Sequence, residues 1–280
     1  MILRPMTEAE IPDGLRLCRA SGWNQQEQDW RLLLRLAGGR FRVAIVDGRV
    51  VATGGAVLYG TQLAWICMIL VEPEARGRGI GTRTFEEVLG LLDDIDVVGL
   101  DATPAGGRVY SKFGFREAEG LVRMAARVTG SARPAVNSAR MLTAADLGAV
   151  GALDREVFGA DRGTVLAWAL GQAPEYAWSL AEGGHLDAYC LGRHGHHCEH
   201  IGPLVARSME AALALVSACL AHTKAECVII DVPEGRNDWV AGLRRIGFEE
   251  QRPLTRMYRG SAAVLGRSEL RFAIAGPELG

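Results

Sequence analysis

The sequence predicts an α+β protein made of two tandem copies of one fold, each a sheet flanked by helices. Three observations support this prediction. The chain has 280 residues, more than one ordinary domain core requires. Short landmarks recur in the same order in both halves. Within each half, runs with the period of a helix alternate with apolar runs typical of strands.

The repeated landmarks lie near both ends of each half. A Gly-Phe pair precedes a methionine at the same spacing over 114–124 and over 247–257. The pattern Arg-x-Met-Thr-x-x-Glu over 4–10 is echoed by Arg-Met-x-Thr-x-x-Asp over 140–146. Several ordered matches at nearly constant offset indicate a duplicated fold.

The first copy alternates amphipathic and apolar segments. The amphipathic segments predict helices over 11–19, 28–36, 82–92 and around residue 109. The apolar segments predict strands over 42–46, 50–59, 65–71 and 97–103. Asp47-Gly48 lies between the first two strands and favours a tight hairpin.

The second copy repeats this order after a segment rich in turn-forming residues. Residues 128–139 contain Gly, Ser, Pro and Asn, a composition that suits an exposed linker. The predicted domains are therefore 1–127 and 140–280, joined by that linker. In the second domain the patterns predict a strand over 200–206, a helix over 209–221 and an added strand over 270–274.

Composition restricts the class of function. A net charge of -2 provides no dominant basic face, so we expect no nucleic acid partner and favour small molecules. The first residues lack the apolar core of a secretory signal, and the weakly polar run 211–221 is too short to span a membrane. The six cysteines contain no CxxC pair, and several lie inside apolar runs where free thiols commonly pack as small hydrophobic residues, which fits a reducing compartment best. These features predict a cytoplasmic protein without membrane association.

The glycine-rich segment 76–82, Arg-Gly-Arg-Gly-Ile-Gly-Thr, follows the apolar strand and opens a helix. Glycine lets the backbone approach a ligand, and the N–H groups at a helix start are complementary to a pyrophosphate. A tight turn between strand and helix also uses glycine without any ligand. The segment has no Gly-Lys-Ser/Thr, and no βαβ unit opens the chain, so neither a nucleotide P-loop nor a dinucleotide fold is expected.

Two motifs together resemble the GCN5-related N-acetyltransferases (GNAT). Arg76, Gly79 and Gly81 match the family's Gln/Arg-x-x-Gly-x-Gly/Ala loop, and Tyr110 matches its tyrosine before a Gly-Phe turn. The resemblance covers residues 1–125 and, more weakly, 140–260. It implies a mixed, mostly antiparallel twisted sheet in each copy and acetyl-CoA as the cosubstrate, with no metal.

The resemblance also assigns roles to residues of the first copy. The pantetheine arm would lie along Ile69, Leu70 and Val71, and a backbone N–H near Leu70 would polarise the thioester carbonyl. Tyr110 would protonate the departing thiolate, although the same side chain could simply pack in the core. The predicted cofactor-binding residues are Ile69, Leu70, Val71, Arg76, Gly77, Arg78, Gly79, Ile80, Gly81 and Thr82.

Four weaker candidates concern the acceptor. Asp101 could act as a general base, and its match in the second copy, Asp231, could face the acceptor pocket; a turn or capping role is the alternative for both. Trp23 and Asn24 lie between the first two predicted helices, a segment that lines the acceptor pocket in the resembling enzymes. An aromatic residue there could equally fill the core, as we expect for Trp30.

The second copy lacks the glycine loop, because the strand 200–206 passes through Arg207-Ser208 directly into a helix, and Trp239 stands where Tyr110 is expected. This resembles tandem acetyltransferases of the YitH/HolE type, whose C-terminal domain is degenerate. The His-rich segment 193–200 could bind zinc, but adjacent ligands converge poorly and a polar hairpin turn is preferred.

These features predict an N-acetyltransferase whose first domain is catalytic. It would move an acyl group from acetyl-CoA to a primary amine of a small molecule or peptide by direct attack, without an acyl-enzyme. The alternative is a CoA-binding sensor or partner-binding module without turnover. We expect a monomer or homodimer.

Overall fold

The computed structural model describes residues 1–128, 139–183, 185–260 and 265–280. In the first half the helices are α1 (Ile11–Ala20), α2 (Glu27–Ala37), α3 (Ile80–Gly90) and α4 (Pro104–Tyr110). The strands are β1 (Ile2–Pro5), β2 (Phe41–Val46), β3 (Arg49–Tyr59), β4 (Leu63–Val71), β5 (Val97–Ala102) and β6 (Arg116–Arg127). The helices and strands predicted for this half are confirmed, with α3 starting two residues earlier than expected.

The second half repeats the order of the first. Its helices are α5 (Leu147–Phe158), α6 (Gly163–Gln172), α7 (Met209–His222) and α8 (Asn237–Arg245). Its strands are β7 (Arg140–Met141), β8 (Trp178–Glu182), β9 (His185–Arg193), β10 (Glu199–Ala206), β11 (Cys227–Pro233), β12 (Phe248–Gly260) and β13 (Arg271–Ala273). The predicted linker 128–139 lies almost wholly outside the described residues, so that domain boundary stays a prediction.

The strands form one continuous sheet in the order β1-β2-β3-β4-β5-β12-β6-β11-β10-β9-β8-β7, with β13 paired to β10. Only β4–β5 and β10–β11 are parallel among the described pairs, which confirms the mixed, mostly antiparallel sheet. The order also shows that the halves exchange their long last strands. Strand β12 of the second half lies beside β5, and β6 of the first half lies beside β11.

The repeated landmarks have a local structural cause. Thr7 and Glu10 form a capping box before α1, and Thr143 and Asp146 form the same box before α5. In both Gly-Phe pairs the glycine has a positive φ, which a residue with a side chain rarely adopts. Both ends of each copy therefore need the same residue types for the same turns.

The sheet opens in the first half where β4 and β5 separate. Their pairing covers only three positions and ends at Trp65 and Gly99. On the other edge of β4 a bulge interrupts the pairing with β3 near Met68, which has a φ of 55°. The Thr53 hydroxyl donates to the Met68 carbonyl at 2.9 Å and helps to hold this conformation. The backbone from residue 66 to 71 is left beside an open slot.

The second half has the same opening, but β13 fills it. Strands β10 and β11 pair over three positions up to Ile201, and β13 then pairs antiparallel with β10. The Ile274 N–H donates to the Asp231 carbonyl on β11 at 3.0 Å. Trp239 Nε1 donates to the Phe272 carbonyl, so the residue at the Tyr110 position binds the inserted strand. The strand predicted over 270–274 is thus confirmed.

The buried helices and cysteines complete the core. Trp30 is fully buried, as predicted, and α7 packs on the sheet of the second half. Among the described residues, no helix is both long enough and apolar enough to cross a membrane. Four of the six cysteines are buried free thiols, as expected for several of them, but Cys198 and Cys227 form a disulfide between the starts of β10 and β11, which was not expected. Their positions in neighbouring strands, which the sequence does not reveal, allow this bond.

Candidate active site

The glycine-rich segment forms one wall of a groove of about 750 Å³ beside β4. Gly77 and Gly79 have φ values of 74° and 75°, so both need glycine for their backbone conformation. Gly81 has a different role, because a Cβ atom there would lie 3.0 Å from the Val71 side chain. The close packing of α3 on β4 therefore depends on the third glycine.

Helix α3 presents unpaired N–H groups to the groove. Gly79 precedes the helix without any side-chain cap, and no acidic residue lies in the first turn. By contrast, the Ser208 hydroxyl caps α7 by accepting from the Ala211 N–H at 3.1 Å. Free N–H donors and the positive end of the helix dipole therefore suit a phosphate anion at α3 better than at its counterpart α7.

The two arginines of the segment differ in role. Arg76 folds back, and its guanidinium donates to the Val71 carbonyl at 3.1 Å and to the Ser21 hydroxyl at 3.2 Å. Arg78 is exposed and lies two residues before the start of α3. Arg76 thus fixes the loop against β4, while Arg78 adds positive charge near the helix start.

The groove continues into a deeper cavity under the sheet opening. Trp23, Ile69, Thr103, Tyr110 and Arg252 line both spaces. The cavity is also lined by other predicted site residues, Asn24 and Asp101, and by several residues that sequence reasoning did not select, namely Cys67, Met68, Arg123, Leu254, Pro277 and Glu278. A molecule in the groove and another in the cavity would meet beside Tyr110.

Tyr110 combines packing with a free hydroxyl. Its ring packs on Phe85 with centroids 4.6 Å apart, and among the described residues no group hydrogen-bonds its hydroxyl. Burial raises the pKa of Tyr110 to about 12, so the phenol keeps its proton at neutral pH. The Tyr110 ring thus packs in the core, which was the alternative to a catalytic role. Its hydroxyl nevertheless lies at the junction of groove and cavity, so packing does not exclude the proposed role in proton transfer.

Asp101 is engaged by the exchanged strand. Both of its carboxylate oxygens accept from the Arg256 guanidinium, at 2.9 and 2.8 Å, and the two side chains are almost completely buried. Burial raises the pKa of Asp101, and Arg256 opposes that shift. A carboxylate held on both oxygens is a poor candidate for moving a proton, so the geometry favours a structural role.

Asp231 forms the equivalent pair in the other direction. Its oxygens accept from Arg123 at 2.8 and 2.7 Å, and His200 Nε2 lies 3.2 Å away. Burial works against ionisation, but Arg123 holds the pKa of Asp231 well below its ordinary value. The Asp231 side chain is fully buried and does not line the cavity. The structure therefore does not support direct contact between Asp231 and the substrate. Arg123 lies between it and the cavity.

The two residues predicted to contact the acceptor, Trp23 and Asn24, make different contacts. Trp23 lines both groove and cavity. The Asn24 side chain instead donates to the Cys198 carbonyl at 2.7 Å and accepts from the His197 N–H at 2.8 Å. These bonds dock the His-rich hairpin onto the first half, which agrees with a polar turn. Among the described residues no cluster suited to a metal ion is found.

The residues missed by sequence reasoning come from distant parts of the chain. Arg123 and Arg252 lie on the exchanged strands, and Glu278 follows β13. Glu278 is buried and ion-paired to Arg193; burial alone would raise the pKa of its carboxyl, but Arg193 holds it below its ordinary value. Repeat spacing marks Arg123, yet nothing local in the sequence indicates that these side chains share one cavity.

Comparisons with known proteins agree with this architecture. Two family profiles, both described as acetyltransferase (GNAT) domain, match residues 37–117 and 150–273. The chain is 27% identical over 268 residues to the uncharacterized N-acetyltransferase YitH of Bacillus subtilis, covering 92% of this chain and 91% of that protein. It is 26% identical to the holothin acyltransferase of a Pseudoalteromonas species over 263 residues, which cover 93% of this chain and 88% of the relative.

The fold has a counterpart among solved structures. A candidate acetyltransferase from Pyrococcus horikoshii superposes with a TM-score of 0.82 at 22% identity, covering 100% of this chain and 95% of that one. The relatives span nearly the whole chain, and the two family matches fall one in each half. The protein is therefore an acyltransferase that belongs to the GCN5-related N-acetyltransferase superfamily, with two GNAT domains in tandem.

Proposed function

We propose that the first half transfers an acetyl group from acetyl-CoA to a primary amine by direct attack. The single observation that carries this proposal is the asymmetry between the two sheet openings. In the first half the opening beside β4 leads to uncapped N–H groups of α3, whereas β13 fills the opening in the second half. Only one half thus retains both parts of a coenzyme A site.

The residues present suit this cosubstrate. The N–H groups at the start of α3 and the nearby Arg78 would hold the pyrophosphate. Strand β4 pairs with β3 on one edge at Leu70 and Val71, but on its other edge the pairing with β5 has already ended at Trp65. Along that second edge, the backbone of Ile69, Leu70 and Val71 would hydrogen-bond the pantetheine arm as an added strand does. When bound, acetyl-CoA supplies the activated acetyl thioester.

The chain's own groups then act around the junction of groove and cavity. A backbone N–H near Leu70 would donate to the carbonyl oxygen that gains negative charge. The Tyr110 hydroxyl, protonated because its pKa is raised to about 12, would give its proton to the leaving sulfur. Burial raises the pKa of Cys67 well above its ordinary value, so this cavity thiol stays protonated and direct attack by the amine is favoured.

Calorimetry with coenzyme A tests the binding part of the proposal. We expect one site per chain, strongly weakened by Gly81→Val, because the new side chain would press on Val71 where a Cβ already lies at 3.0 Å. Gly90→Val at the other end of α3 is the matched control, since a Cβ there meets nothing within 4 Å. Absence of heat with the unmodified protein would end the proposal.

Thiol release from acetyl-CoA with a panel of small amines and peptides tests the transfer. Release that depends on the amine, with a mass gain of one acetyl group on the product, supports acetyl transfer. Binding of acetyl-CoA without turnover across the panel would favour the alternative of a sensor.

A further inference from the structure

We propose that Arg252 is a specificity-determining residue that binds a carboxylate of the acceptor, so that the preferred acceptor is an amine that also carries a carboxylate. This inference rests on the proposed acetyl transfer and names its substrate class. It follows from the position of Arg252, its lack of a partner and the charges around it.

Arg252 lies at the junction of the two spaces. It lines both the groove and the cavity, together with Tyr110 and Thr103. Leu254, two residues further on the same face of β12, lines the cavity alone. Strand β12 comes from the second half, so the exchange carries this guanidinium into the site of the first half.

The neighbouring charges leave Arg252 without a partner. Asp101 is bonded to Arg256, and Asp231 is bonded to Arg123, each through two hydrogen bonds. Glu278 is paired with Arg193. Within the described parts of the chain, the Arg252 side chain makes no hydrogen bond and no ion pair, although it is only partly exposed.

Arg252 also stands directly opposite Arg123 in the pairing of β12 with β6. Two like charges facing each other across strands destabilise a sheet. Burial and Arg123 both lower the pKa of Arg252, because each disfavours its charged form. An anion bound to the Arg252 guanidinium would stabilise its charged form against both burial and the repulsion by Arg123. The planar guanidinium suits a carboxylate, because it can donate two parallel hydrogen bonds to it.

The anion could in principle belong to coenzyme A, but the geometry favours the acceptor. The glycine-rich segment 76–82, proposed to bind the pyrophosphate, lines the groove at every residue except Arg78, and none of its residues lines the cavity. Arg123, which faces Arg252, lines only the cavity. A carboxylate at Arg252 would therefore lie on the cavity side of Tyr110, where we expect the acceptor.

The test uses N-acetyl-α-amino acids, which carry both the product amide and a carboxylate, and the matching N-acetyl amino amides. Each is titrated into the full chain loaded with coenzyme A. We expect at least one acid to bind more tightly than its amide by about 10- to 150-fold, the range of a hydrogen bond to a charged group. Arg252→Met should abolish that preference, and Arg252→Lys should restore only part of it.

Arg259→Met is the matched control, because Arg259 lies on the same strand, is exposed and lines neither the cavity nor the groove. It should keep the preference for the acid. Equal binding of acids and amides, or a preference that survives Arg252→Met, would overturn the inference. So would an Arg252→Met variant that loses affinity for coenzyme A alone.

Titrations with coenzyme A separate this inference from the proposed function. Normal binding of coenzyme A by the unmodified protein, with no acid preferred over its amide, overturns only the assignment of Arg252. Failure to bind coenzyme A overturns the proposed function, and the inference with it.

Discussion

The paired aspartate and arginine between β5 and β12 provide a quantitative test of the strand exchange. In Asp101→Asn, the Arg256 guanidinium keeps its charge but loses the carboxylate that holds it at 2.9 and 2.8 Å. Both side chains are nearly inaccessible, so water cannot replace the lost partner. Removing one member of a buried pair typically costs about 3–5 kcal/mol.

That loss should lower the melting temperature by roughly 6–20 °C, at about 2–4 °C per kcal/mol for a chain of this size. Urea unfolding followed by circular dichroism measures the free energy. The control is Glu250→Gln, which breaks the exposed pair with Arg244 and should change stability by less than about 1 kcal/mol. A melting temperature unchanged in Asp101→Asn would refute the structural role assigned to this pair.

The double variant Asp101→Leu with Arg256→Met separates structure from catalysis. Replacing a buried ion pair by apolar side chains is often neutral, so most of the stability should return. If Asp101 only holds the exchanged strand, turnover should return as well. Turnover that stays lost in a stable double variant would show that Asp101 moves a proton during the reaction.

Three further predictions follow from single contacts. Tyr110→Phe should lower kcat by about 10²-fold or more while coenzyme A binds normally. Because burial raises the pKa of Tyr110 to about 12, the rate of the unmodified protein should not fall through deprotonation of Tyr110 below about pH 10. Asn24→Ala removes the side-chain bonds to the His-rich hairpin and should cost about 2 kcal/mol in urea unfolding, with a higher KM for the acceptor. Cys198→Ser opens a disulfide that spans 29 residues and should destabilise the oxidised protein by about 3–4 kcal/mol, an effect that dithiothreitol should reproduce in the unmodified chain.

The local structure could be predicted from the sequence because it depends on residues that are neighbours in the chain. The hairpin at Asp47-Gly48, the capping box of Thr7 and the glycines at 77 and 79 each need particular side chains or positive φ values. Such requirements are visible in a few consecutive residues. The same applies to the second half, where the missing glycine loop was enough to predict that the phosphate site is lost.

The exchange of strands could not be predicted in this way. The residue pattern of strand β12 does not reveal whether it pairs within its own half or with β5, because periodicity carries no information about the partner. The repeat did place Arg123 and Arg256 at equivalent positions, and Asp101 and Asp231 as well. Only the sheet order shows that each arginine binds the aspartate of the opposite half, and so assigns the carboxylates to structure.

The strand exchange also brings a residue of the second half to the cavity of the first half. Arg252 reaches the cavity on β12, and Glu278 reaches it on the segment that follows β13. Strand β13 precedes this segment and occupies the opening of the second half. The exchange of β12 and the course of the chain after β13 therefore both bring side chains of the second half to the cavity of the first half. The role proposed for Arg252 implies that the second half contributes to acceptor selection, while the pairing of β13 with β10 anchors the segment that carries Glu278.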